Sequence, residues 1–133
     1  MSRIFILLLS MLIMPLAYAG GMVEGNIKLD PKLAKQAKPE DTVFIFARAA
    51  KGPRMPLAVL RTKVSELPMK YRLDESMAMQ PGMDLSHFDK VVVVARISAS
   101  GDAMPKSGDF EGTSKTVNVG KDQADITINK VLP

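Results

Sequence analysis

Apolar and polar residues alternate with a period of two along most of this chain. In MVEGNIKL, Val23, Gly25, Ile27 and Leu29 fall on one side and Glu24, Asn26 and Lys28 on the other. That alternation predicts a strand with one buried face. The segment TVFIFARA (42–49) is rich in β-branched and aromatic residues and reads as a core strand. LAVLRTKV (57–64) reads as a third strand, and Met69, Tyr71 and Leu73 alternate with Lys70 and Arg72 in a fourth. VVVVARIS (91–98) is the strongest strand signal, FEGTSKTVNV (110–119) a weak one. DITINKV closes the set, with Ile126 and Ile128 set between Asp125, Thr127 and Asn129. Helical spacing occurs once, where Asp30 is placed to cap and Pro31 to occupy the first helical position. Pro39 limits that helix to a turn or two.

Seven short strands with turn-rich links predict an all-β fold, an antiparallel β-sandwich of the immunoglobulin-like, Greek-key kind. One short helical turn stands near its start. Polar outer faces favour antiparallel pairing. A small closed barrel fits the same periodicity.

The first residues are of another kind. Arg3 precedes the apolar run IFILLLSMLIM, followed by Pro15 and Ala17-Tyr18-Ala19. A charged start, a short apolar stretch and an A-x-A end are the parts of a secretory signal peptide. The expectation is a leader over 1–19, cleaved after Ala19, and one β-sandwich domain over 20–133 delivered to the periplasm. The chain has no cysteine, so neither a lipid anchor at the cleavage point nor a disulfide is expected. Nothing after the leader is long and apolar enough to predict a transmembrane segment.

Charge narrows the partners. The chain carries 18 Lys and Arg against 14 Asp and Glu, and most charges alternate in sign. The stretch 48–63 departs from this, holding Arg48, Lys51, Arg54, Arg61 and Lys63 with no acidic residue. It could attract an acidic peptide, anionic lipid heads or a haem propionate; the plainer reading is a solvated loop and strand edge. Aromatic residues are not interleaved as a nucleic-acid stacking surface needs, and no nucleic acid is expected.

The catalytic inventory is thin. His87 is the single histidine. Ser86-His87-Phe88-Asp89 has the residue types of a serine triad, but sequence neighbours point in different directions and no oxyanion loop lies near. Asp74 and Glu75 lack any mark of a sugar-binding cleft. The expectation is a protein that is not an enzyme. Methionine offers more. Met77, Met79 and Met83 lie close together with His87 four positions on, and thioethers with an imidazole suit copper(I). The plainer reading is an adaptable apolar lid.

Several phrases in one order carry a resemblance. FARA followed by GPRMPLAVLR, then DESMAM, then ARIS with the spaced SG, P and GDFEG, extend over nearly all of the chain after the leader. Together they resemble the C-terminal periplasmic domain of the cytochrome c-type biogenesis protein of the CcmI/CycH type. Members of that family help deliver unfolded apocytochrome c to the haem-attachment machinery. The resemblance implies a binding or assembly-factor role with a protein or peptide partner, such as apocytochrome c or a haem-attachment component, and no cofactor. It covers the final domain only, without the family's helical repeats and membrane anchors. The positions matching its phrases are Arg48, Gly52, Pro53, Arg54, Met55 and Pro56, and Met77 and Met79. Of these, Arg48, Arg54, Met55, Met77 and Met79 are the candidate partner-binding residues. The alternative is a periplasmic copper-binding protein using Met77, Met79, Met83 and His87.

Overall fold

The structure, a computed structural model, describes residues 21–52, 55–80 and 82–133. The expected leader with its cleavage point lies outside the described residues, as does Arg54. Two sheets face each other. β1 (Met22–Leu29), β4 (Met69–Asp74) and β8 (Ile126–Ile128) form the smaller, in the order β4-β1-β8. β2 (Thr42–Ala49), β3 (Pro56–Lys63), β5 (Lys90–Ser98), β6 (Phe110–Thr113) and β9 (Lys130–Val131) form the larger, in the order β3-β2-β5-β6-β9. β7 (Val117–Asn118) pairs with the start of β5 beyond the end of β6. The helical turn α1 (Pro31–Ala34) is capped by Asp30, whose carboxylate accepts the Lys32 N–H at 2.9 Å.

The period-two pattern decides what is buried. Val43, Ile45, Ala47 and Ala49 of β2 pair across the ladder with Ile97, Ala95, Val93 and Val91 of β5. All eight point into the core, where they meet Val23, Ile27, Tyr71, Leu73, Ile126 and Ile128 of the smaller sheet. With no disulfide, burial of this set is the main favourable contribution to folding.

Among the described residues nine strands stand where seven were expected, because two segments each break in two. In FEGTSKTVNV the Val93 N–H donates to the Ser114 hydroxyl at 3.0 Å instead of to a carbonyl. That kink separates β6 from β7. In DITINKV the chain changes sheets within one residue: the Ile128 carbonyl accepts from Asp30 beside β1, and the Asn129 N–H donates to Glu111 of β6. β8 therefore pairs with β1, in parallel, while β9 pairs with β6. This crossing closes one side of the sandwich, with β6 packed directly on β8. Gly112 permits it, since a Cβ there would overlap the Thr127 carbonyl. The opposite side, between β3 and β4, has no such seam. Among the described residues no helix is long and apolar enough to cross a membrane.

Candidate functional site

The described residues of the β2–β3 loop (50–52 and 55) and of the β4–β5 loop (75–80 and 82–89) lie at one end of the sandwich, because β2 and β5 pair up to Ala49 and Val91. The Ala50 N–H donates to the Lys90 carbonyl at 3.0 Å and ties the two loops together. The 3-10 turn Glu75–Met77 packs against β3 from the other direction. Between the loops is a cleft of about 500 Å³ lined by Ala50, Lys51, Phe88, Asp89, Lys90 and Thr116.

The methionine loop is held by two similar turns. Asp74 accepts the Ser76 N–H at 2.9 Å and Asp84 accepts the Ser86 N–H at 2.8 Å, and each carboxylate also takes its serine hydroxyl. These turns place Leu85 in the core and lay Met77, Met83 and Phe88 half-buried against it. Met79 stays outside at 66% exposure, and Met55 on the facing loop is 39% exposed. Arg48 is half-buried on the outer face of β2, opposite Pro56 and Val92. Of the candidate binding residues, Arg48, Met55, Met77 and Met79 thus belong to one end.

The candidate copper set is spread between roles. Met77 and Met83 contribute to packing, and Met79 projects outward. The His87 Nδ1 lies 3.1 Å from Asp84 and 3.3 Å from the Ser86 hydroxyl. Hydrogen bonding from Ser86 holds the Asp84 carboxyl below its usual range, with His87 adding to the effect. The serine hydroxyl donates to Asp84 and the same carboxylate oxygen bonds His87, whereas a nucleophile triad sets the imidazole between serine and carboxylate. Among the described residues no group of three or more His, Cys, Asp or Glu is placed to hold a metal ion.

The outer face of the larger sheet holds residues that alternation did not flag. Arg61, Phe44, Arg96, Glu111 and Lys130 form one row across β3, β2, β5, β6 and β9. Arg61 lies over the Phe44 ring, and Arg96 lies 5.5 Å from the Phe46 ring centroid. Arg96 is buried between Glu111 at 3.6 Å and Asp109 at 3.9 Å, and its Nη2 donates to the Ala103 carbonyl. The signal for this row was present in VFIFAR and VVVVARIS, where large apolar residues occupy both faces.

The comparisons with known proteins bear on this arrangement. The family model for the cytochrome c-type biogenesis protein H Ig-like domain matches residues 23–129. The chain belongs to this family. It is similar to cytochrome c-type biogenesis protein CycH of Pseudomonas aeruginosa, with 40% identity over 108 residues, 81% of this chain. The match spans 26% of that relative, so the chain covers about a quarter of its length. An uncharacterized protein of Aquifex aeolicus is 29% identical over 115 residues, 86% of this chain and 75% of that one. No solved structure matches the chain. The Ig-like family assignment agrees with the sandwich, and the matched segment takes in both loops of the cleft.

Proposed function

We propose that this CycH-type Ig-like domain is a non-enzymatic binding and assembly factor of c-type cytochrome maturation, acting in the periplasm. It holds an unfolded protein segment, such as apocytochrome c, by reversible contact. The observation that carries this reading is the near full-length match of the domain to the Ig-like domain of cytochrome c-type biogenesis protein H. The loop end supports it in chemical terms. Exposed Met55 and Met79 offer adaptable apolar contacts, and Arg48, Lys51 and Lys90 supply cationic groups at the same end of the sandwich. Such a surface suits a polypeptide that presents apolar and acidic side chains before it folds.

The test is genetic. A strain of the source bacterium lacking this protein is compared by haem staining with one carrying the wild-type chain or the variant Met55→Asp with Met79→Asp. The reading predicts reduced covalent haem in c-type cytochromes without the protein, restored by the wild type and poorly by the variant. Unchanged cytochrome content in the deletion strain contradicts it.

A further inference from the structure

β3 is an edge strand, and its ladder geometry shows which backbone groups are free. The Ala50 N–H bonds to the Lys90 carbonyl, so the even-numbered residues of β2 turn their backbone groups toward β5 and the odd-numbered ones toward β3. The Val64 N–H bonds to the Asp41 carbonyl, which continues the same alternation on the β3 side. In β3, then, Ala58, Leu60 and Thr62 serve β2, while Val59, Arg61 and Lys63 direct their N–H and C=O groups away from the sheet. Among the described residues these outward groups have no backbone partner. The turn Glu75–Met77 packs near β3, whose first buried residues are Leu57 and Ala58. From Val59 onward the strand is half-buried or exposed.

The two faces of this edge differ. Leu60 lies half-buried on the core side, on the open side of the sandwich, with Val64, Leu67, Met69 and Met77 packed at the core margin in neighbouring elements. Arg61 and Lys63 pair with Phe44 and Thr42 on the outer face and are exposed. Natural sheets guard free edges with charge because a bare edge recruits another strand. Here the charge is of one sign.

We propose that β3 from Val59 to Lys63 is a strand-addition site for an extended segment of the unfolded partner. That segment alternates apolar residues, facing Leu60 and Met69, with acidic residues, facing Arg61 and Lys63. The proposal rests on the binding role above and gives its mode. A row of free backbone donors and acceptors calls for another backbone rather than a lipid or a small anion. A second copy of this chain is a poor occupant, because two β3 edges would set Arg61 and Lys63 against the same cations. β3 begins immediately after Met55 and touches the turn carrying Met77, so a partner held at the loop end is in line with this edge.

The experiment follows amide hydrogen exchange of the purified protein by NMR, alone and with saturating haem-free, unfolded apocytochrome c, with affinity measured separately by calorimetry. The Val59, Arg61 and Lys63 amides are expected to slow at least tenfold in the complex. Arg61→Glu with Lys63→Glu, both exposed, is expected to weaken affinity at least tenfold. Binding without slower exchange at these three amides overturns the strand-addition mode and leaves the binding role standing. Unchanged affinity in the folded double variant overturns the acidic alternation, and with it this inference. Absence of any binding by the wild type defeats both. If the double variant does not fold, the wild-type exchange data decide.

Discussion

The guanidinium of Arg61 lies 5.2 Å from the centroid of the Phe44 ring, on residues paired directly across β2 and β3. Phe44 faces away from the core yet is 3% exposed, and Arg61 on one side and Arg96 on the other flank it in the ladder. Arg61 covers apolar surface in this way while its head stays hydrated. Arg61→Ala is therefore expected to lower stability by about 0.5–1 kcal/mol, with Arg61→Lys costing less. Urea unfolding of the two variants checks this.

Tyr71 joins the smaller sheet to the segment before β8. Its hydroxyl donates to the Ala124 carbonyl, against which Gly25, its ladder partner in β1, also packs. Burial first, and the charge of Asp125 second, push the Tyr71 hydroxyl well above the usual tyrosine value near 10. The folded state thus keeps a proton that the unfolded chain releases. That contribution is fully present below pH 10 and is lost as pH rises from there toward the folded-state value. Thermal unfolding followed from pH 8 to pH 11 should show the decline. Tyr71→Phe should flatten it while costing about 1–3 kcal/mol at neutral pH, since the Ala124 carbonyl loses its donor.

Asp109 and Glu111 compensate a buried cation. Arg96 and Asp109 are each 6% exposed at the side chain, and the Arg96 Nε has no hydrogen-bond acceptor of its own. Asp109→Ala removes a neighbouring charge and also the acceptor of the Lys106 N–H. The expected loss is about 3–5 kcal/mol, read by guanidinium unfolding. Arg96→Met with Asp109→Leu should recover much of it, because apolar residues there need no counter-charge.

Gly112 marks the closed side of the sandwich. Gly112→Ala sets a methyl against the backbone of Thr127 and Ile128, which no side-chain rotation relieves. A loss of about 1–3 kcal/mol is expected, visible as a lower thermal midpoint.

The core strands were legible in the sequence for two reasons: β1 and β4 carry their own alternation, and β2 and β5 are runs rich in β-branched or aromatic residues that are apolar on both faces. The crossing at Asn129 was not legible. The alternation of Asp125 to Asn129 breaks at the polar pair Asn129-Lys130, but such a break reads equally as the plain end of a strand and does not name the sheet that the next residues join. Nor did alternation reveal the break at Ser114, which depends on a hydroxyl replacing a carbonyl in the ladder. The two loops could be named from composition, but their meeting at Ala50 and Lys90 is a consequence of strand order. Nothing in VVVVARIS told that Arg96 is buried; it is so because the segment carrying Ala103 and Asp109 folds over that face.

The methionine loop separates packing from metal binding. If Met77 and Met83 serve as a lid, Met77→Leu with Met83→Leu should change stability by less than about 1.5 kcal/mol and leave apocytochrome affinity within twofold. A copper(I) site built on these residues predicts instead a loss of copper(I) binding in a competition titration, with His87→Ala doing the same.

The proposed role requires this domain to bind an unfolded partner of cytochrome maturation. Calorimetric titration of the purified protein with unfolded apocytochrome c, under reducing and metal-free conditions, tests it most directly. Saturable one-to-one binding that vanishes when folded holocytochrome replaces the apoprotein is the predicted result. No heat at any accessible concentration, or equal heat with the holocytochrome, would contradict it.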